Sequence, residues 1–208
     1  MMRGVLSMRM VLLCLALCAA SAAPAQEFPA AYRVAGVAAD DVLNIRAEPS
    51  GSAAKVGEIG AHGFDIEVLG LSEDGKWGMV PLPEGSGWVA MRFLQPTPPA
   101  DPRLVPRPLT CSGTEPFWTL GLYPKGAEWM TPESPRADLM VTGEAVAARG
   151  YRLHAEEGPT RIHDLTVVRQ QCSDGMSDRK FGFAASLFIE SPDGNALLTG
   201  CCTLDHRN

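Results

Sequence analysis

The chain has 208 residues, 46% of them hydrophobic and 20% charged, which fits one or two globular domains and excludes wholesale disorder, collagen and coiled coil. Eighteen Lys and Arg against 24 Asp and Glu give a net charge of -6, and the sequence contains no Lys/Arg cluster. Such a chain lacks the electrostatic footprint of a nucleic-acid binder and is not drawn to anionic lipid.

The first ten residues carry Arg3 and Arg9, residues 11–20 (VLLCLALCAA) are apolar without a break, and SAAPAQ follows. That is the layout of a secretory signal peptide, with cleavage expected after Ala25. The apolar run is well short of the roughly 20 residues that span a bilayer. Leu13 and Leu17 stand before Cys14 and Cys18, where a lipoprotein signal needs a small residue. Cleavage removes two arginines and no acid, taking the net charge to -8, and leaves four of the six cysteines. The mature chain is expected to be soluble and exported, periplasmic or secreted, where disulfides persist.

Residues 31–95 read as short alternating runs between turn residues. Leu43 and Ile45 alternate with Asn44 and Arg46 before EPSGS; Phe64, Ile66 and Val68 alternate with Asp65 and Glu67 before SEDGK. Runs of period 2 bounded by Gly, Pro, Asp and Ser are half-buried strands. Residues 77–80 and 87–89 add two more, so about five strands form a small barrel or a pair of packed sheets. In a unit this small Phe64, Trp77, Trp88 and Phe93 are expected to supply much of the core. Trp77 and Trp88 have a second reading, as a groove that stacks on a sugar or a peptide. His62, in GAHG, reads as a solvated loop residue.

The strings LNIRAEPS (43–50), FDIEVLG (64–70), DGKWGMV (74–80) and GSGWVAMRFL (85–94) resemble the successive strands of a bacterial SH3-like (SH3b) domain. The resemblance implies a non-enzymatic module of exported proteins, often joined to cell-wall enzymes and in some cases binding peptidoglycan or peptides.

Residues 96–108 (PTPPADPRLVPRP) hold six of the 17 prolines and read as an extended, semi-rigid spacer between modules at 26–95 and 109–208. Beyond it, strands are expected at residues 117–123, 127–131, 138–142, 150–155, 160–169, 181–190 and 195–202. Residues 137–149 come closest to a helical period, but Gly143 and the β-branched residues weaken it. Seven strands in a hundred residues argue for an antiparallel barrel or sandwich, so the whole mature chain is expected to be all-β.

The strings CSGTEPFWTL (111–120), CSDGMSDRKFGF (172–183) and GCC (200–202) resemble an exported bacterial family of uncharacterised function. That family has no activity to lend. If this half holds a ligand site, its candidates are Glu115, Trp118, Asp174, Met176 and Asp178, which lie in the two strings; alternatively, Glu115 caps a strand and the acids of SDGMSD satisfy their own turn.

Cys111, Cys172, Cys201 and Cys202 read as a structural disulfide framework tying the second module. A bond between the adjacent pair is disfavoured because neighbouring strand residues point to opposite faces, so Cys111 and Cys172 are each expected to pair with one of the terminal two. No cofactor is expected; Cys202 and His206 are a poor start to a zinc site. The sharper alternative is a nucleophile at Cys111 in TCSG with His163 as base, as in NlpC-type cell-wall peptidases. Pro116 and a strand-like run follow Cys111, where that chemistry wants a helix N-terminus. His154 and His163 otherwise read as hydrogen-bonded strand residues.

The leading expectation is an exported envelope binding or adaptor protein engaging peptidoglycan or peptides through the first module. A cell-wall cysteine peptidase and an inhibitor of a wall hydrolase are the alternatives.

Overall fold

A computed structural model describes residues 27–204. Residues 1–25, read above as a signal peptide, and His206 lie outside the described residues. No α-helix occurs among the described residues, and none is long and apolar enough to cross a membrane.

The first module is built from β1 (Ala30–Val34), β2 (Val42–Arg46), β3 (Lys55–Gly60), β4 (Ile66–Val68), β5 (Gly70–Leu71), β6 (Trp77–Leu82), β7 (Gly85–Ala90) and β8 (Leu94–Pro96). They form two sheets, ordered β4-β1-β8 and β3-β2-β7-β6-β5. The alternation in the sequence decides which faces meet. Leu43 and Ile45 of β2, Ile66 and Val68 of β4, Val80 of β6 and Val89 of β7 close one core with Tyr32, Val34 and Ile59. Each such side chain contributes roughly 1.5–3 kcal/mol by leaving water.

Two expectations for this half are corrected. Phe64 is 70% exposed rather than core. Asp65 turns the backbone into the left-handed region (φ +51°), so β4 begins at Ile66 and Phe64 is not in register with it. Trp77 and Trp88 are only half-buried and stand outside the core, Phe93, also half-buried, packs against its edge, and the interior is filled by aliphatic residues and Tyr32. Glu67 falls on the face that alternation assigns to solvent, yet it is fully buried, because the second module covers that face.

The second module is a closed barrel of eight antiparallel strands. These are β9 (Leu109–Thr114), β10 (Phe117–Tyr123), β11 (Gly126–Met130), β12 (Ala137–Ala147), β13 (Gly150–Glu157), β14 (Arg161–Cys172), β15 (Phe181–Glu190) and β16 (Ala196–Thr203). All seven expected runs are strands, including the segment with the weak helical period. The eighth, β9, contains Cys111 and closes the barrel between β10 and β16. Leu120, Leu153, Leu165, Phe183 and Leu187 fill the interior, while Arg152, His154 and Asp164 interact on the outer wall. A lumen filled by apolar side chains contrasts with the polar interior of a lipid-spanning barrel.

The spacer reading changes in its second half. Val105 is buried in the barrel core, its N–H donates to Glu144 Oε2 at 2.9 Å, and Arg107 pairs with the same carboxylate at 2.5 Å. Residues 105–108 are therefore packed against the barrel instead of crossing solvent.

The modules also touch directly. The Thr203 hydroxyl donates to the buried Glu67 Oε2 at 2.5 Å, Arg169 Nη1 donates to Pro29 O at 2.8 Å, and Lys180 N donates to Ser86 Oγ at 3.2 Å.

Candidate functional site

The four cysteines form two disulfides, Cys111–Cys202 and Cys172–Cys201. Adjacent Cys201 and Cys202 point to opposite sides of β16: the first bridge lies inside the barrel core, and the second ties the β14–β15 connection to the wall. With its sulfur bonded, Cys111 offers no thiolate, so the peptidase reading lacks its nucleophile. His163 is fully buried; as the neutral tautomer its Nε2–H donates to Glu157 Oε2 at 3.0 Å, and its ring tilts against Trp129. Burial holds its pKa below 6.5, outweighing the upward pull of Glu157. His154 Nδ1 and Arg152 both engage Asp164 at 3.0 Å. Both histidines serve strand structure.

The two specific strings meet: the Thr114 hydroxyl of the β9–β10 hairpin donates to Asp174 O at 3.1 Å. Their residues are mostly occupied in building. Trp118 is 2% exposed, stacks on Trp129 at a centroid distance of 5.9 Å and donates its indole N–H to Thr199 O. Gly113 leaves the space that this indole fills, and Gly200 lets the Ser112 carbonyl approach across the β9–β16 seam. Asp174 Oδ1 accepts the N–H groups of Met176 and Ser177 at 3.0 Å, which, with the Met176 bond foremost, holds its pKa below the usual carboxylate range. Glu115, Met176 and Asp178 are exposed around this turn. Part of each string thus serves barrel closure, through a core disulfide, room for a tryptophan, a close seam and a tight turn, while Glu115, Met176 and Asp178 stand on the surface.

A different surface gathers the two remaining candidates, Trp77 and Trp88. Trp77 and Met79 project from the same side of β6, and Met79 is paired in register with Trp88 of β7. The row runs across the sheet from Arg46 through Trp88 and Met79 to Gly70 at the edge strand β5. Gly78, Val80, Gly87 and Val89, which alternate with these residues, are buried. Trp77, Met79 and Trp88 are half-buried: their bodies are fixed by the sheet while part of each stays open to solvent. The spacing of the two tryptophans signalled this in the sequence; the participation of Met79 and Arg46 depends on a register that the sequence does not display.

Met79 and Gly70 also line a groove of about 740 Å³ between the modules. On the barrel side its lining includes Arg149, Arg169 and Lys180, and no Asp or Glu among the described residues. The sequence has no Lys/Arg cluster; the fold assembles one from β14, the β12–β13 turn and the residue before β15.

Comparison with family models, with curated proteins and with solved structures returns no match.

Proposed function

We propose that the chain is an exported binding or adaptor protein of the cell envelope, and that its first module engages peptidoglycan or peptides through the Trp77–Met79–Trp88 face. The observation that carries this reading is the cross-strand row, which fixes two indoles and a thioether on one outer face while leaving each partly open. Flat apolar rings held in this way suit stacking on sugar rings or packing against extended peptide. The SH3-like strings of the first module lend support, as do the signal-peptide layout and the two disulfides, which belong to an oxidising compartment.

Co-sedimentation of the mature chain with purified peptidoglycan sacculi tests the proposal. The chain is expected to pellet with sacculi, and a Trp77→Ala/Trp88→Ala variant to stay in the supernatant while keeping its β circular-dichroism spectrum. A chain that never pellets, or a variant that pellets as well as the parent, counts against it.

A further inference from the structure

We propose that the groove between the two modules is a binding site for a short, extended peptide bearing carboxylates. The inference rests on the reading of the first module as the recognition surface, because Met79 belongs both to the tryptophan row and to the groove floor.

Three observations define the occupant. The first is charge. In a chain of net charge -6, the groove collects Arg149, Arg169 and Lys180, and no Asp or Glu is among its lining residues. Arg169 is already engaged, by Pro29 O, the Tyr151 hydroxyl and Glu27 at 3.6 Å. The exposed side chains of Arg149 and Lys180 have no ion pair or hydrogen bond among the described residues, so both are free to meet an anion. Guanidinium binds carboxylate through paired N–H donors, and ammonium binds it as a point charge.

The second observation is a break in the barrel wall. The β14–β15 ladder loses register between Arg169 and Cys172, which leaves Gln170 and Gln171 without cross-strand partners and exposed at the groove rim. A bulge of this kind re-aims side chains beside a site. Two free carboxamides supply donors and acceptors to peptide groups, which a bare anion such as phosphate does not need.

The third observation is the floor. Phe28, Met79 and Phe181 line it, and Val168 beside them is 40% exposed. An apolar floor under a cationic, amide-bearing rim matches a peptide that alternates acidic and apolar side chains. It does not match a phosphodiester backbone, which would want charge along its whole length.

Fluorescence anisotropy on the mature chain tests this with fluorescein-labelled Ala-Glu-Leu-Glu-Ala and its neutral analogue Ala-Gln-Leu-Gln-Ala. The acidic peptide is expected to bind about tenfold more tightly than the neutral one, and added salt to shrink that ratio. Arg149→Glu/Lys180→Glu is expected to weaken the acidic peptide at least about tenfold, with Lys180→Gln intermediate. Both positions are exposed, so an unchanged melting curve shows that folding is intact. Equal affinity for the two peptides, no binding of either, or a double variant that binds like the parent overturns the proposal. So does retention on phosphatidylglycerol vesicles, lost in the double variant, without peptide binding. The sacculus assay separates this proposal from the wall-binding reading. Retention that needs Trp77 and Trp88 but ignores the double variant, with no acidic-peptide preference, sinks the groove alone; peptide capture in the groove without sacculus retention sinks wall targeting alone.

Discussion

The two modules solve the same problem, burying one face of a β-sheet, in different ways. The barrel leaves no free edge: β9 is held between β10 and β16, and a disulfide through the interior fixes that seam. The first module has two open sheets, no cysteine, and a core of aliphatic residues with Tyr32, and it keeps Phe64, Trp77 and Trp88 at or near its surface. On the proposed reading, the difference separates scaffold from recognition. The barrel puts Cys111, Gly113, Trp118 and Gly200 of its specific strings into its own closure, and the first module keeps Trp77 and Trp88 half-buried on an outer face.

Removing the core bridge puts the greatest strain on this contrast. The Cys111–Cys202 bridge spans 91 residues, so Cys111→Ser/Cys202→Ser is expected to cost about 5 kcal/mol through the unfolded chain. In denaturant titration, near-ultraviolet circular dichroism from buried Trp118 and Trp129 should fall at much lower denaturant than the signal of the first module. If both signals drop together, the modules unfold as one body and the contrast breaks.

The β9–β16 seam offers a sharper cut. A methyl at residue 200 meets the Ser112 carbonyl and the Trp118 ring, so Gly200→Ala is expected to cost about 1–3 kcal/mol. Gly60→Ala in β3, where nothing lies within 4 Å, should stay within about 0.5 kcal/mol. Comparable losses at both sites would deny the barrel its special dependence on close approach.

Thr203→Val probes the junction, since it removes the hydroxyl that donates to the buried Glu67 carboxylate. The expected cost is about 1–3 kcal/mol, read by calorimetry as a wider gap between the melting of the two modules. An unchanged thermogram would mean that this contact does not couple them.

The smallest expected effect is a pH response confined to the barrel. His163 is held neutral in the fold, its pKa lowered from 6.5 chiefly by burial. The unfolded chain takes up a proton there that the native chain refuses, so stability contributed by the neutral ring is complete above 6.5 and falls as the pH drops below it. Titrating the barrel's denaturation midpoint from pH 7.5 to 5.5 should show a decline of at most about 1.4 kcal/mol per pH unit from this group, absent in His163→Leu. A midpoint that rises on acidification contradicts the assignment.

Much of the fold is legible in the sequence. Period-2 alternation marks β2, β6 and β7 and all of the barrel except β9, because each of these strands buries one face. What escapes is set by partners rather than by local pattern. Alternation exposes Glu67, and only the second module buries it; it also extends β4 through Phe64, which the left-handed Asp65 prevents. Strand β9 hides because its outward residues are Thr, Ser and Thr, which alternate weakly with Leu109, Cys111 and Gly113. The candidate site is less legible. Trp77 and Trp88 are visible as aromatics near turns, whereas Arg149, Gln170 and Lys180 belong to different segments and meet only through barrel closure and module docking.

Hydrogen exchange on residues 26–208, with and without solubilised peptidoglycan fragments, tests most directly the proposal that the first module and its groove are a recognition surface. Slowed exchange is predicted across Trp77–Leu82 and Gly85–Ala90 and at Gln170 and Gln171, with the remaining barrel strands unchanged. Protection confined to the barrel hairpin at 114–117 and the turn at 173–178, or no protection anywhere, would contradict it.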